Sequence, residues 1–355
     1  MSEALNKTKV AVNGYGVIGK RVADAVRSQD DMVLVGIADV AVDWRMRVAE
    51  RKKYKIFGAS DDAAMAMQNA AIETAGTLDD LLSEADIVVD CTPKRIATGN
   101  VEEYRRRNIK FIVQGGEKHD VTGHPFVAEA NYASALGRDA TRVVSCNTTS
   151  IVRTLTTLKR AGLLRRARGT LLRRATDPWE SHIGGIMNTL VPEGDIPSHQ
   201  GPDVQSVDPD IDVVTMAVKV PETLAHLHYW SVRLSRETSK DEVLDAFRTS
   251  SRIALINYRD GLTAINSVTE LMADLGRPHN NLYEVALWAD MLTVEGNEAF
   301  YAYMVDNQAI VIPETIDAIR ALSGSQVDAV ASIEKTNKAL GISRTLIPEA
   351  GHSDS

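Results

Sequence analysis

The stretch VNGYGVIGKRVADAV (12–26) decides the fold of the N-terminal half of this chain. A β-branched run, KVAVNG (9–14), leads into glycines at positions 14, 16 and 19, and an amphipathic helical pattern follows directly. The spacing G-x-G-x-x-G between a strand and a helix is the phosphate-binding fingerprint of dinucleotide-binding proteins. We therefore predict a Rossmann unit at the N-terminus.

Each glycine of this loop has its own task in such a unit. Gly14 makes the tight turn, Gly16 lets the backbone approach a pyrophosphate, and Gly19 lets the helix pack closely on the strand. The pyrophosphate lies at the helix N-terminus, where unpaired N–H groups and the helix dipole favour an anion. The loop therefore predicts binding of NAD or NADP.

Asp39 ends the next predicted strand, MVLVGIAD (32–39), about twenty residues after Gly19. A carboxylate at this place accepts a hydrogen bond from the 2′-hydroxyl of the adenosine ribose and repels a 2′-phosphate. We therefore expect NAD to be preferred, with NADP possible. The alternative is that Asp39 only caps its own loop.

Strands alternate with helical patterns through the first half of the chain, which is typical of a parallel, doubly wound sheet. Beyond it the strands are longer and partly alternating, as in DVVTMAVKVP (212–221), and a Gly/Pro-rich stretch interrupts them at 184–203. The predicted fold class is α/β, with a Rossmann domain of residues 1–142. An α+β catalytic domain with a mixed or antiparallel sheet is predicted for residues 143–314.

Composition excludes several classes of function. The net charge of -8 over 355 residues gives no electrostatic reason to expect nucleic acid or an anionic membrane as partner. The 2 cysteines form no zinc-type cluster, so we expect no metal. The start MSEALNKTK has no apolar segment, and we expect a cytoplasmic protein without a signal peptide.

Cys146 stands in SCNTT (145–149), where a predicted strand passes into a predicted helix. A cysteine at a helix N-terminus has its thiolate stabilised, so we expect its pKa to fall. Such a thiolate attacks an aldehyde, and the thiohemiacetal gives hydride to NAD and leaves a thioester. A buried structural thiol is the alternative. Cys91, at the end of a core strand, is expected to be structural.

Basic residues near this region leave the location of an anionic substrate group open. Arg173 and Arg174 lie on one predicted strand and point to opposite faces, so that one enters the site and the other makes a surface or inter-subunit ion pair. Thr148 and Thr149 at the helix N-terminus also suit an anion. The basic run LKRAGLLRRARG (158–169) is interpreted mainly as a solvated or interface surface.

A set of stretches also carries a resemblance to a known family. They are NGYGVIGKRVADAV (13–26), QGGEKH (114–119), VVSCNTT (143–149), RRATDP (173–178), PSHQGPD (197–203), TMAVKVPETLAHLH (215–228), DLGRPHNNLYE (274–284) and SIEKTNKALGI (332–342). In order, and over nearly the whole chain, they resemble archaeal-type (type II) glyceraldehyde-3-phosphate dehydrogenase.

The resemblance implies a homotetramer that reversibly oxidises glyceraldehyde 3-phosphate to 1,3-bisphosphoglycerate. NAD(P) and inorganic phosphate are the implied co-reactants, in glycolysis and gluconeogenesis. It further implies that C-terminal helices 315–342 fold back and complete the nucleotide domain.

Two residues are matched to the family's chemistry. Cys146 matches the nucleophile, and His226 matches the proposed catalytic histidine, which would act as general base or sustain the thiolate. A hydrogen-bonded structural histidine is the alternative. His226 and His228 share one face of a strand, so alternation does not choose between them, whereas the family does.

Other positions match residues that hold the substrate or the cofactor. The substrate group consists of Ser145, Asn147, Thr148, Gln200 and Gly201. The cofactor group adds to the glycine loop and Asp39 the residues Val17, Ile18, Gly115, Gly116, Arg174 and Asn307.

Four places depart from the family pattern. Gln200 replaces a histidine, Asn307 replaces a glutamine, Ser181-His182 replaces a basic pair, and Asp39 replaces a lysine of NADP-preferring members. These changes leave glyceraldehyde 3-phosphate as the favoured substrate, with a related short semialdehyde or acyl phosphate as alternative. A non-catalytic NAD-binding regulator is the rival from a different class.

Overall fold

The computed structural model of the protein describes residues 7–94, 96–114, 116–178, 182 and 188–347. The chain divides into two compact units, Met1–Ser145 with Ile312–Leu340, and Cys146–Val311 with Gly341–Ser355. The unit borders fall after Ser145 and after Val311, each three residues from the expected domain borders after 142 and 314.

Helices and strands follow one another in regular alternation only in the first half of the chain. The helices in the described part are α1 (Val17–Arg27), α2 (Trp44–Arg51), α3 (Asp61–Asn69), α4 (Leu78–Glu84), α5 (Ile96–Arg106), α6 (Ala128–Asn131), α7 (Cys146–Arg160), α8 (Gln200–Val207), α9 (Lys240–Arg248), α10 (Ile265–Asp274), α11 (Val311–Ser323) and α12 (Ala329–Leu340). The strands are β1 (Thr8–Asn13), β2 (Met32–Asp39), β3 (Ile56–Gly58), β4 (Ile87–Asp90), β5 (Lys110–Gln114), β6 (Pro125–Phe126), β7 (Ala140–Val143), β8 (Leu164–Arg174), β9 (Val191–Pro192), β10 (Val213–Val220), β11 (His226–Leu234), β12 (Ile253–Ile256), β13 (Val285–Trp288), β14 (Thr293–Glu295) and β15 (Glu298–Val305).

The first unit is built on a parallel sheet of order β3-β2-β1-β4-β5-β7-β6. The centre of β1 is fully buried at Val10, Ala11 and Val12, as expected for a strand covered by helices on both faces. Strand order reverses between β1 and β4, which is the place where doubly wound sheets bind ligands. The predicted Rossmann sheet is confirmed.

Two C-terminal helices, α11 and α12, belong to this first unit. The buried guanidinium of Arg320 on α11 bonds Asp31 through Nε to Oδ2 at 2.8 Å and Gln29 through Nη2 to Oε1 at 2.7 Å. Lys335 on α12 also reaches Asp31, with 3.0 Å between Nζ and Oδ2. These pairs tie the late helices to the loop that precedes β2.

The second unit contains a mixed sheet of order β12-β13-β15-β11-β8-β10-β9, with β14 paired to β15. Strands β8 and β10 run parallel, and β11 runs antiparallel to both β8 and β15. Alternate residues of β11 are buried, beginning with His226 and His228. The predicted mixed sheet is confirmed, and the two histidines do share its covered face.

Helix boundaries follow local sequence signals in several places. Thr77 forms a capping box with Asp80 at the start of α4, where the sequence predicts an N-cap. The basic run 158–169 covers the end of α7 and the start of β8, and its Arg165 and Arg166 are exposed. Within the described ranges, no helix is both long and apolar enough to span a bilayer.

Candidate active site

The glycine loop has the geometry that a pyrophosphate requires. Gly14 has φ +91°, and a Cβ there would lie 2.8 Å from the carbonyl carbon of Cys91. At Gly19 a Cβ would lie only 1.8 Å from the carbonyl oxygen of Gly14. At Gly16, by contrast, a Cβ would meet no atom within 4 Å among the described residues, so the backbone there is open to a ligand.

The N-terminus of α1 is open to the same ligand. Its N-cap is Gly16, which has no side chain to cap the helix, and the first N–H bonded within the helix is that of Lys20, on the Gly16 oxygen at 3.1 Å. The earlier N–H groups, including those of Val17 and Ile18, have no partner within an α-helix. The residues present therefore fit a dinucleotide phosphate, with anion-binding N–H groups beside an open backbone.

Asp39 both caps its loop and faces the phosphate turn. Its Oδ2 accepts the N–H of Tyr15 at 2.6 Å, and its Oδ1 accepts the N–H groups of Val40 and Ala41 at 2.7 and 2.8 Å. A carboxylate offers about four acceptor sites. Three are used here, and one remains for a ribose hydroxyl, so the loop-capping and ribose-binding interpretations are compatible.

The other two positions expected at the cofactor in this unit are the glycines after β5. Gly115 lies outside the described residues. Gly116 lies in the turn that follows β5, and a Cβ there would be 3.7 Å from the Cβ of Lys94.

Cys146 is the first residue of α7, and its sulfur contacts the start of β11. The distance from Sγ to Nε2 of His226 is 3.4 Å. Burial raises the pKa of the Cys146 thiol, whereas Arg174, Arg173 and the backbone N–H of Asn147 act to lower it. The expectation of a net fall in pKa is therefore wrong, because the helix terminus lies inside a packed unit and desolvation outweighs the favourable groups.

His226 is buried and held in one orientation. Its Nδ1 accepts the backbone N–H of Arg174 at 3.1 Å, and its Nε2 faces the Cys146 sulfur. Burial, with smaller effects of the positive charges on Arg174 and Arg173, lowers its pKa well below the usual range. A neutral ring that accepts at Nδ1 carries its proton on Nε2. Of the two expected roles, sustaining the thiolate fits this proton better than removing a proton from substrate.

The two arginines on β8 each have an acidic partner. Arg173 forms an ion pair with Glu193, and Nη2 of Arg174 lies 3.2 Å from Oδ1 of Asp177. Both charges act to lower the pKa of the Cys146 thiol, against the larger effect of burial. Which of the two arginines enters the substrate site stays a prediction.

Four of the five positions matched to substrate contacts lie in the second unit, and Ser145 is the half-buried residue just before it. Asn147 is buried, and Thr148 donates from Oγ1 to Oδ2 of Asp203 at 2.7 Å. Gly201 donates its N–H to Oγ1 of Thr215 at 2.9 Å. These contacts give the substrate candidates fixed positions, and their roles stay predictions.

Gln200 is the most unusual of them. It is fully buried, and neither Nε2 nor Oε1 has a hydrogen-bond partner among the described residues. A buried amide left unpaired costs about 1–3 kcal/mol, which a polar ligand group relieves.

Asp177 links two positions that were expected to bind the cofactor. Besides the Arg174 ion pair, its Oδ1 accepts Nδ2 of Asn307 at 3.1 Å and Nε2 of Gln308 at 2.9 Å. Oδ1 of Asn307 is buried without a hydrogen-bond partner among the described residues. Ser181 of the departing pair lies outside the described residues, and His182 is exposed.

The two hydrogen-bond partners of His228 were not predicted from the sequence. Its Nε2 lies 2.9 Å from Oδ1 of Asn147, and its Nδ1 lies 2.9 Å from the hydroxyl of Tyr303. The alternation of β11 signalled a shared face with His226, but no local signal pointed to Tyr303 on another strand. Glu193 and Asp203 were missed for the same reason, whereas Asp177 lies only three residues after its partner Arg174, in the quoted stretch RRATDP (173–178).

A Rossmann unit followed in the chain by a cysteine–histidine pair is the arrangement of a thiol-dependent nicotinamide dehydrogenase. Residues 145–290 match the model of the glyceraldehyde 3-phosphate dehydrogenase C-terminal domain family. Residues 8–116 match that of the dihydrodipicolinate reductase N-terminus.

Whole-chain comparisons narrow the class. The chain is 44% identical over 335 residues to a glyceraldehyde-3-phosphate dehydrogenase of Methanobrevibacter smithii, covering 94% of this chain and 99% of the relative. It is 42% identical over 336 residues to the protein of that name from Thermococcus kodakarensis, with 95% and 99% covered. The chain belongs to the archaeal-type glyceraldehyde-3-phosphate dehydrogenase family.

Proposed function

We propose that this protein is a phosphorylating glyceraldehyde-3-phosphate dehydrogenase in which Cys146 is the nucleophile and His226 its hydrogen-bond donor. The observation that carries the proposal is the 3.4 Å contact between Sγ of Cys146 and Nε2 of His226. Membership of the family supports glyceraldehyde 3-phosphate as the substrate, and the glycine loop supports a nicotinamide cofactor.

The chemistry proceeds in two stages. The Cys146 thiol first gives its proton to solvent. The thiolate then attacks the aldehyde carbon, and the N–H on Nε2 of His226 stabilises first the sulfur and then the alkoxide. A nicotinamide cofactor, when bound, would supply the hydride acceptor, and loss of hydride from the alkoxide would leave a thioester on Cys146. Inorganic phosphate then attacks the acyl carbon, the C–S bond breaks, and 1,3-bisphosphoglycerate leaves with regeneration of the thiolate.

Buried polar groups supply the binding of the anionic substrate. Arg173 and Arg174 place two positive charges in the electrostatic environment of Cys146. The amide of Gln200, which has no hydrogen-bond partner among the described residues, suits a substrate or phosphate oxygen. Gly201 follows Gln200 in the chain, and Thr148 lies on α7, which packs against α8, the helix that begins at Gln200. Ser145 and Asn147 flank the nucleophile in the chain. We propose these residues as the substrate site.

NAD is the proposed preferred cofactor, with NADP accepted less well. The support is the carboxylate of Asp39, which lies 2.6 Å from the N–H of Tyr15 in the phosphate turn. Its negative charge disfavours a 2′-phosphate. Gly115, Gly116, Arg174 and Asn307 stay proposed cofactor contacts on the family match alone.

We also propose a different role for each of the two parts of the chain. The unit of residues 1–142 with helices 315–342 would bind the nucleotide, and residues 143–314 would carry the substrate chemistry. We also propose a cytoplasmic homotetramer, as the family resemblance implies.

One assay tests the proposed reaction. NADH formation is followed with glyceraldehyde 3-phosphate, with and without phosphate, before and after iodoacetamide treatment. Turnover that requires phosphate and is lost on alkylation supports the proposal. Turnover without phosphate would indicate a hydrolytic dehydrogenase, and activity with aspartate semialdehyde alone would replace the substrate. Binding of NAD with no turnover of any aldehyde would favour a regulatory protein.

A further inference from the structure

Behind the cysteine–histidine pair lies a ring of four buried polar residues. Its members are Asn147, which is 3% exposed, and Ser150, His228 and Tyr303, which are fully buried. Asn147 and Ser150 lie on the first turns of α7, His228 on β11, and Tyr303 on β15.

The contacts define a direction for the hydrogen bonds. The amide oxygen of Asn147 only accepts, so Nε2 of His228, 2.9 Å away, donates to it. Nδ1 of His228 is then the acceptor of a neutral ring, and the hydroxyl of Tyr303 donates to it at 2.9 Å. His228 and Tyr303 are direct partners in the register of β11 and β15, which sets this distance.

Ser150 holds the backbone of Asn147. Its hydroxyl donates to the carbonyl oxygen of Asn147 at 2.8 Å, and its Oγ packs 3.3 Å from the hydroxyl of Tyr303, whose proton is already donated to His228. Asn147 is thereby held through both its side chain and its backbone. A residue with so many fixed contacts has little freedom to move its own N–H group.

That N–H group is the link to the nucleophile. Asn147 directly follows Cys146 in the first turn of α7, and its backbone N–H acts to lower the pKa of the Cys146 thiol, against the larger effect of burial. The charged or titratable groups that act on this sulfur also include Arg174, Arg173 and Asp306, and His226 contacts it. The orientation of the Asn147 N–H therefore affects the fraction of Cys146 that is present as thiolate.

We propose that His228 and Tyr303 are positioning residues that hold Asn147, so that its backbone N–H stabilises the Cys146 thiolate. The role of that thiolate rests on the proposed function, but the positioning itself does not. Burial, followed by the charge of Arg173, lowers the pKa of His228 to about 3. The imidazole of His228 therefore stays neutral throughout the neutral pH range, and its two hydrogen bonds keep the same direction.

The test measures the thiol without aldehyde or cofactor. The full-length protein is alkylated with iodoacetamide over a range of pH, and the rate constant at Cys146 is followed by mass spectrometry. Tyr303→Phe removes the hydroxyl that donates to Nδ1 and keeps the ring volume. Tyr301→Phe is the matched control, because Tyr301 lies on the same strand with its hydroxyl outside this ring of hydrogen bonds.

We expect Tyr303→Phe to lower the alkylation rate at pH 8 about tenfold and to move the midpoint of the pH profile upward by about one unit. Tyr301→Phe should leave both unchanged. His228→Gln retains a donor and an acceptor and should behave more like the wild type than His228→Leu. Wild-type alkylation in Tyr303→Phe, or equal losses in folded His228→Gln and His228→Leu, would overturn the proposal.

Thermal unfolding and NAD binding show whether each variant is folded. If His228→Leu does not fold, Tyr303→Phe still decides the question. A protein that never oxidises glyceraldehyde 3-phosphate still yields an alkylation profile, so failure of the proposed reaction and failure of this positioning role are distinguishable.

Discussion

The backbone N–H of Arg174 donates a 3.1 Å hydrogen bond to Nδ1 of His226, and this bond fixes which nitrogen of the ring carries the proton. The proton is on Nε2, which faces the sulfur of Cys146. Protonating Nδ1 would set two N–H groups against each other, in addition to burying a charge. The arrangement therefore favours a neutral donor at His226 over an imidazolium.

Replacing His226 separates the donor role from the base role. We expect His226→Ala to lower kcat about a hundredfold or more, because the N–H that stabilises the alkoxide is lost. His226→Gln supplies an amide N–H, and its kcat should stay within about tenfold of the wild-type value. The measurement is steady-state NADH formation; equal, large losses in both variants would instead indicate a proton-accepting histidine.

The two cysteines should differ sharply in reactivity. Cys146→Ser should lower kcat by more than about three orders of magnitude, as loss of the nucleophile does in other enzymes. Burial and the charge of Asp90 raise the pKa of Cys91 well above its usual range, which makes it a poor target. Iodoacetamide should therefore inactivate Cys91→Ala as fast as the wild type. Protection of Cys91→Ala from inactivation would identify Cys91, not Cys146, as the reactive thiol.

The sequence was most informative where function depends on neighbours in the chain. The glycines at 14, 16 and 19 act through local backbone geometry, and their strand and helix flanks were visible in the sequence. Asp39 was placed at the end of β2 for the same reason. By contrast, no helix or strand was predicted between residues 240 and 314, where β13 and β15 are nearly all buried and carry no polar alternation.

Tertiary register decides the rest of the candidate site. Leu227 pairs with Leu172 across β11 and β8, and this pairing lets His226 reach the N–H of Arg174. The 2.9 Å contact between His228 and Asn147 likewise joins residues 81 positions apart. The raised pKa of Cys146 has the same origin, because burial of a helix terminus is a property of packing rather than of the sequence around it.

Asp39 should control the choice between NAD and NADP. Asp39→Asn keeps the size of the side chain and removes the charge that repels a 2′-phosphate. We expect the ratio of kcat/KM for NADP to that for NAD to rise at least about tenfold. Asp86→Asn is the control, since Asp86 accepts the N–H of Lys9 at 2.8 Å at the opposite end of β1. An unchanged ratio in Asp39→Asn would limit Asp39 to capping its loop.

Self-association should use the outer face of the second sheet. Met216 and Tyr229 flank Thr170 in the strand register and are 41% and 46% exposed. Exposed apolar side chains in one row mark interaction surfaces. By size-exclusion chromatography with light scattering, we expect a tetramer that Tyr229→Glu shifts to smaller species. Val327→Glu, at a 68% exposed site of the first unit, should not do so. A wild-type monomer would contradict the proposal.

Buried neutral histidines should make folding stability fall in mild acid. His124 bonds Thr141 and Ser134 through its two ring nitrogens, at 2.7 and 2.8 Å. Burial, with smaller effects of Arg138 and His119, lowers its pKa to about 4. The unfolded chain, with a histidine pKa of about 6.5, binds this proton first, so the stabilisation present above pH 6.5 is lost as the pH falls towards 4.

The expected loss at His124 is about 2 kcal/mol between pH 7 and pH 5. Urea unfolding of the wild type and of His124→Gln at both pH values measures it, because the difference between the two proteins cancels the titration of every other group. His124→Gln should be less stable than the wild type at pH 7 and should lose about 2 kcal/mol less on acidification. A difference between the two proteins that stays constant with pH would mean that His124 titrates normally in the folded state.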